Sequence, residues 1–342
     1  MSWRRLRHRG SHEIVLVHTS SRDLIVKRPR PRNTPGRLET LRRRAEVEHH
    51  ALSEIAPRIS AIDPALRCPR PLGYDPDAGV LFLERVEGDS LQSILFGLGR
   101  AAHRERIARV LRLSAEWLAR LHAVTRSEDE RHPFDWVLSE LAFPETERVL
   151  RAYAGERAYR ELERLATGFR GEYPEFRRPL CRIHGLFLPY HVLADDVGIH
   201  VIDLEASRLG FPHEDLGLFI AYYDLCAPWR RLIAEKRMPI SEQIALWWRA
   251  YTGSDEPAPG PERLLRRFTR VLGLARFVTL ARRARYGEDV SVAAGSFANA
   301  APAGLVSLEP SARSLKSRLL EPWWRHRVRV ACREELAALR NA

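Results

Sequence analysis

Residues 181–206, reading CRIHGLFLPYHVLADDVGIHVIDLEA, gather the groups that phosphate chemistry needs. A His-Gly turn stands at His184 and Gly185. Two short β-rich runs, at 192–193 and 200–204, flank the polar turn Asp195-Asp196-Val197-Gly198, a pattern that predicts a β-hairpin. The second arm, apolar over 199–202, ends in Asp203, and Glu205 follows two places on. A hairpin that delivers a carboxylate just after a His-Gly loop suggests a metal–phosphate site. Asp203 would hold a hard cation, and the loop would hold whatever attacks the phosphate.

This stretch resembles the catalytic segment of the aminoglycoside phosphotransferase and choline kinase group, small-molecule relatives of protein kinases. The family reads His-Gly-Asp, four residues, Asn, a hairpin, then Asp with an acidic or small residue two places on. Here the order is His184, Gly185, Leu186, residues 187–190, His191, then Asp203 and Glu205. The frame matches in order and spacing, but two chemical positions are substituted. The resemblance puts the catalytic Asp on Leu186 and the metal-binding Asn on His191. Asp203, Glu205 and His191 are thus the implied metal positions, and His184 is expected to hold the loop by hydrogen bonds. Leu cannot accept a proton from a hydroxyl, and loss of a positioned base costs about 10²–10⁴ in rate. Imidazole is a poor ligand for Mg²⁺, which wants oxygen.

The elements that must position this segment follow from the rest of the chain. Residues 12–18 (HEIVLVH) and 23–27 (DLIVK) predict two strands around a turn at 19–22. Lys27 ends the second, and only three of the 56 basic residues are Lys (Lys27, Lys236, Lys316). The resemblance makes Lys27 the cation for the nucleotide phosphates and Gly10-Ser11 the loop that covers them. After a Pro-rich connection at 29–36, residues 37–55 predict a helix stopped by Pro57. Glu48 on it aligns with the family's Lys-orienting glutamate; Glu46 lies on another face. Residues 68–74 and 80–84 predict two more strands, running into LERVEGDSL. That run resembles the hinge whose backbone meets the adenine edge, which places Glu84 and Val86 at the nucleotide. Ser90 is a candidate helix cap.

Beyond residue 103 the periodicity is helical. Helices are expected over 103–125, 145–167, 216–225, 264–286 and 323–339, with a break at 133–137 and loops at 253–261 and 298–302. His122 reads as a buried or capping histidine. By resemblance Asp215 is the structural carboxylate that ties down the His184-Gly185 turn. The Trp and Tyr residues of the last third, Trp247-Trp248 among them, read first as core and second as acceptor-pocket lining.

Composition limits the alternatives. The 342 residues are 45% hydrophobic and 29% charged, ordinary for a soluble globular chain. No apolar run is long enough to cross a bilayer. The basic N-terminal MSWRRLRHRG has no apolar segment behind it and is not expected to be a secretory signal. The four cysteines (Cys68, Cys181, Cys226, Cys332) have no metal-ligand spacing and read as reduced thiols in a cytoplasmic protein. The net charge of +12 is almost all Arg. Without a recognised nucleic-acid motif, it reads as a solvated surface rather than a nucleic-acid site; contact with an anionic membrane surface stays open.

The sequence therefore predicts an α+β, two-lobed, protein-kinase-like fold. Residues 1–86 would form an N-lobe with an antiparallel sheet and one helix, and residues 87–342 a mainly helical C-lobe carrying the hairpin. The expected partners are ATP or another nucleoside triphosphate, Mg²⁺ or Mn²⁺, and an unknown small-molecule acceptor. Turnover is expected to be weak or absent, the alternatives being an active phosphotransferase for a small-molecule or sugar hydroxyl, and a basic nucleic-acid- or membrane-binding surface.

Overall fold

A computed structural model describes residues 2–7, 12–29, 35–97, 103–254, 260–286 and 310–341. The Gly10-Ser11 loop and the 298–302 loop lie outside the described residues. The chain begins with strands β1 (Ser2–Arg7), β2 (His12–His18) and β3 (Asp23–Pro29), followed by helix α1 (Pro35–Ile62). Strands β4 (Leu66–Arg67), β5 (Pro71–Asp75) and β6 (Val80–Glu84) come next. Five of these strands make an antiparallel sheet in the order β1-β2-β3-β6-β5. Its centre is β-branched and apolar, and Leu16, Val17, Leu81 and Leu83 are buried. In β3 the alternation turns Lys27 inward and Arg28 outward.

Helix α1 buries the stripe Leu41, Ala45, Leu52, Ile55 and Ile59, with Glu48 in the middle of it. A carboxylate in an apolar stripe must have a partner, and its heptad-like position aims it at the sheet. Pro57 does not end this helix as expected; it lies inside it. Continuing for another turn buries Ile59 completely, which offsets the one hydrogen bond that proline removes.

Strand β7 (Asp89–Ser90) leads into α2 (Leu91–Phe96), and Ser90 caps it by accepting from the Ser93 N–H at 3.1 Å. Helix α3 (Arg104–Val124), strand β8 (Glu130–Arg131) and helices α4 (Pro133–Leu141), α5 (Pro144–Tyr153) and α6 (Glu156–Glu172) follow. Two expectations are corrected here. The break expected at 133–137 is the start of α4, because Pro133 takes a first-turn position and His132 accepts from the Phe134 N–H. The single helix expected over 145–167 is two helices, since Gly155 at φ 100° turns the chain between them.

Strands β9 (Arg178–Pro179) and β10 (Cys181–Ile183) approach the central segment, where β11 (Val192–Ala194) and β12 (Ile199–Val201) form the expected hairpin. Asp195 shapes its turn by accepting from the Val197 and Gly198 N–H groups. The hairpin is the middle of a second sheet, β4-β12-β11-β7, so residues 66–67 pair with it rather than extending the strand expected from 68. The arm expected to reach residue 204 ends at Val201, because Asp203 leaves the strand in the left-handed region. Strand β13 (Arg208–Gly210) pairs with β10, and helices α7 (His213–Leu225), α8 (Pro228–Arg237), α9 (Ile240–Thr252), α10 (Gly260–Tyr286) and α11 (Pro310–Arg340) complete the chain. Gly260 and Pro261, expected in a loop, open α10.

The helical part is held by large apolar side chains. Trp247 is buried, stacks on Phe219 with ring centroids 4.2 Å apart, and donates to the Ser114 hydroxyl at 3.1 Å. That is the core role expected of it. Helices α7 and α10 cross at two glycines. A Cβ on Gly273 would lie 2.1 Å from the Gly217 carbonyl oxygen, so neither position tolerates a side chain. The crossing matters to the site, because Asp215 lies two residues before one glycine and Arg276 three after the other. Gly273→Ala should force the helices apart and cost about 2 kcal/mol by overpacking. Urea denaturation would show this as a lower midpoint with an unchanged m-value.

Candidate active site

The centre of the site is the Lys27 ammonium. Nζ lies 2.7 Å from Glu48 Oε2 on α1, 2.6 Å from Asp203 Oδ1 and 2.6 Å from Glu205 Oε2, both just past β12. Lys27 is 5% exposed, Glu48 1% and Glu205 4%, so the junction is almost dry. The ammonium donates to Glu48 and Asp203 and is ion-paired with Glu205. Burial opposes the lysine charge, but Asp203, Glu205 and Glu48 outweigh it and hold the pKa well above its usual value. Glu48 behaves oppositely: burial, reinforced by Asp203 and Glu205, raises its pKa to about 7 despite Lys27. For Asp203, burial is outweighed by Lys27 and His191, and its pKa is held well below the carboxylate range. Glu205 is lowered as well, Lys27 overcoming burial with help from His12. The expected Lys27–Glu48 pair is formed, and Asp203 faces it across the cleft.

Asp203 sits at φ 69°, ψ 54°, the one non-glycine positive φ among the described residues. The left-handed turn swings its carboxylate out of the strand direction and back toward β3. Its second oxygen, Oδ2, is 3.1 Å from His191 Nε2. The other ring nitrogen, Nδ1, donates to the Leu186 carbonyl oxygen at 2.9 Å. The substituted His191 thus links the loop backbone to Asp203.

The His184-Gly185 turn is held from beneath by Asp215. Its carboxylate accepts from the His184 N–H at 2.7 Å and the Gly185 N–H at 2.8 Å, and meets His122 Nε2 at 3.2 Å. His122 Nδ1 in turn meets the Tyr251 hydroxyl at 2.9 Å, so a buried chain runs from α9 to the loop. Burial opposes the Asp215 charge, but His122, His184 and these donors win and lower its pKa. Gly185 adopts φ 79°, and a Cβ there would stand 2.2 Å from the Ala206 carbonyl oxygen. Only glycine fits. From above, Arg276 Nη2 donates to the Gly185 carbonyl at 3.3 Å while Nη1 pairs with Glu214 at 2.8 Å. His184 Nε2 donates to the Ile202 carbonyl at 3.1 Å, tying the loop to the end of the hairpin.

Leu186, at the base position, is 2% exposed and belongs to the main hydrophobic core. It is a packing residue. Glu84 ends β6, and its side chain accepts from the Arg70 N–H at 2.8 Å; Val86 follows, half-buried. Three contributors carried no sequence signal for the site: His12, 3.3 Å from Glu205 Oε2; Arg44, 3.9 Å from Glu205 Oε1; and Arg276. Glu48 did carry one, its place in an apolar stripe.

The model of the phosphotransferase enzyme family matches residues 2–265. The chain belongs to that family. Solved structures agree in fold across low identity. A candidate aminoglycoside phosphotransferase from Ralstonia eutropha JMP134 is 13% identical over all of this chain and 93% of its own, with a TM-score of 0.56. A candidate fructosamine-3-kinase from Thermobifida fusca YX-ER1 is 16% identical over 84% of this chain and 89% of its own, at 0.51. The Plasmodium vivax ethanolamine kinase is 13% identical over 95% and 83%, at 0.52. This phosphotransferase-family chain therefore has the expected two-lobed, protein-kinase-like α+β fold. No curated protein matches it. Among the described residues no helix is long and apolar enough to cross a membrane.

The family implies a divalent ion, and the three carboxylates supply a donor set: oxygens of Glu48, Asp203 and Glu205 lie within 4.8 Å of one another. In this phosphotransferase-family chain the ammonium of Lys27 already fills the space between them, and His191 stands where the family has an oxygen ligand. The donor set as arranged does not fit the ion.

His184 makes a pH-dependent contribution. Burial, with repulsion from His191, pushes its pKa from 6.5 to about 4, so the folded protein keeps the ring neutral. The unfolded chain binds a proton at pH values where the folded chain does not. This share of stability is fully present above pH 6.5 and is lost as pH falls from there toward 4, up to roughly 3 kcal/mol. His184→Gln should be less stable at pH 8 yet lose less on acidification, which denaturant titrations at several pH values would show.

Proposed function

We propose that this chain takes a nucleotide in the cleft between the five-stranded sheet and the catalytic hairpin, and transfers phosphate slowly or not at all. The observation that carries the reading is the buried Lys27–Glu48 pair facing Asp203, a cation set where kinases hold nucleotide phosphates, beside a base position filled by packed Leu186. The nucleotide would sit with its adenine edge against the backbone at Glu84 and Val86. Arg276, Asp215 and His122 hold the loop in place whether or not transfer occurs. The acceptor, where there is one, would be a small molecule of the kind named for the fold's neighbours, such as an aminoglycoside or ethanolamine. The four buried free thiols support a reducing, cytoplasmic setting.

Lys27 is paired with three carboxylates, so phosphate entry must release one of them. Glu205 is the one with fallback partners, His12 and Arg44. Glu205→Gln should then strengthen ATP binding by about tenfold, roughly 1.4 kcal/mol for one surrendered charge-assisted bond. Calorimetric titration of wild type and variant would measure it; no heat and no melting shift at millimolar ATP in either protein would remove the nucleotide reading. Hydrolysis at ordinary kinase rates, 1–100 s⁻¹ in order of magnitude, would instead favour an active phosphotransferase with another base.

Restoring the base is expected to be costly. Leu186→Asp buries a carboxyl in the apolar core and should lower stability by about 2–4 kcal/mol. Thermal denaturation of the variant checks this, and a stable variant would mean that position 186 opens to the cleft.

A further inference from the structure

We infer that this site supplies its own cation: the Lys27 ammonium stands in for a divalent ion at Glu48, Asp203 and Glu205, with the His191 ring covering the remaining oxygen of Asp203, so that a nucleotide binds there free of metal. The last clause rests on the nucleotide reading; the first does not.

The geometry is specific about the cation. Lys27 Nζ touches one oxygen from each of the three carboxylates at 2.6–2.7 Å, the oxygens themselves lying within 4.8 Å of one another. The ammonium is therefore the ion of that cluster. A Mg²⁺ ion would have to displace it, shed most of its own water and find near-octahedral oxygens in a space a lysine occupies. The displaced ammonium would stay buried beside a divalent charge, an arrangement that low-dielectric surroundings penalise heavily.

The His191 ring closes the other side. Nδ1 faces the Leu186 carbonyl oxygen at 2.9 Å and Nε2 faces Asp203 Oδ2 at 3.1 Å. The ring therefore takes up the side of Asp203 that faces away from Lys27 and brings no oxygen to it. Imidazole is a poor ligand for Mg²⁺, which wants oxygen. Asp203 then has Lys27 on one oxygen and His191 on the other, and Glu205 has Lys27 with His12 at 3.3 Å. Among the described residues the cluster is also faced by Arg44 at 3.9 Å from Glu205, the Tyr190 ring 4.3 Å from His191 and the stacked His184 ring 5.5 Å from it. The space and the oxygens that a metal would use are already taken by the chain.

Metal binding can be tested without any nucleotide. Mn²⁺ titration of the full chain, followed by electron paramagnetic resonance, should show no stoichiometric site in wild type beyond that of Asp203→Asn. Mg²⁺, Mn²⁺ and Zn²⁺ at millimolar concentration should leave the melting temperature unchanged. The double variant Lys27→Met with His191→Asn exposes the carboxylates and should gain one Mn²⁺ site; if it folds only when Mn²⁺ is present, that too supports the inference. A wild-type Mn²⁺ site abolished by Asp203→Asn overturns it, as does a folded double variant that binds none. ATP titrations in EDTA and in Mg²⁺ address the last clause. Equal affinity supports it, and tenfold tighter binding with Mg²⁺ overturns it. No ATP binding under either condition defeats the nucleotide reading and leaves the Mn²⁺ result to decide the rest.

Discussion

A buried ammonium shared by three carboxylates is the constraint on which the rest of the site depends. Taking Lys27, Glu48, Asp203 and Glu205 out of water is expensive, and the loss is recovered only where distances are short and every N–H has an oxygen. That demand ties together three elements remote in sequence: β3, α1 and the end of the hairpin. It also accounts for the left-handed turn at Asp203, which an ordinary strand continuation would not need. A single neutralised partner would leave the remaining charges buried and unmatched, so these elements are coupled more tightly than apolar packing alone would couple them.

The loop at His184 and Gly185 is held firmly from several sides. Asp215 holds two consecutive backbone N–H groups, Gly185 fits under Ala206, and Arg276 and His184 fix the loop from either side. None of this support involves a proton acceptor at position 186. Leu186 instead contributes its side chain to the core and its carbonyl to His191. The two positions therefore act together: one fills space, and the other links the loop backbone to Asp203. Both oxygens of Asp203 are thereby met within the cleft.

Support for that cleft reaches deep into the helical part. The glycine crossing of α7 and α10 brings Asp215 under the loop and Arg276 over it, and the Tyr251–His122 link attaches the same carboxylate to α9. Helices whose periodicity reads only as core thus set the position of the site. Arg208, Arg276 and Glu214 form an ion network beside Phe211 that anchors the start of α7.

Local patterns were enough to find the hairpin, the strand that carries Lys27 with its neighbour β2, and most helices, because each rests on turn residues or on a hydrophobic period within a few positions. The motif spacing around His184 and Asp203 made the family resemblance visible, and that resemblance, with its place on the helix, marked Glu48. The sequence could not tell that Pro57 lies inside a helix, or that residues 145–167 break at Gly155. Both outcomes depend on burial of Ile59 and on packing of α5 against α6, which are not local. Nor could it show that one lysine holds three carboxylates, that His191 turns both nitrogens to oxygens, or that Leu186 points into the core. Lys27 and Asp203 are 176 positions apart. Residue type determines what charge each side chain can carry; which partner it meets, and whether a metal has room between them, is decided only when the folded chain brings those charges out of water together.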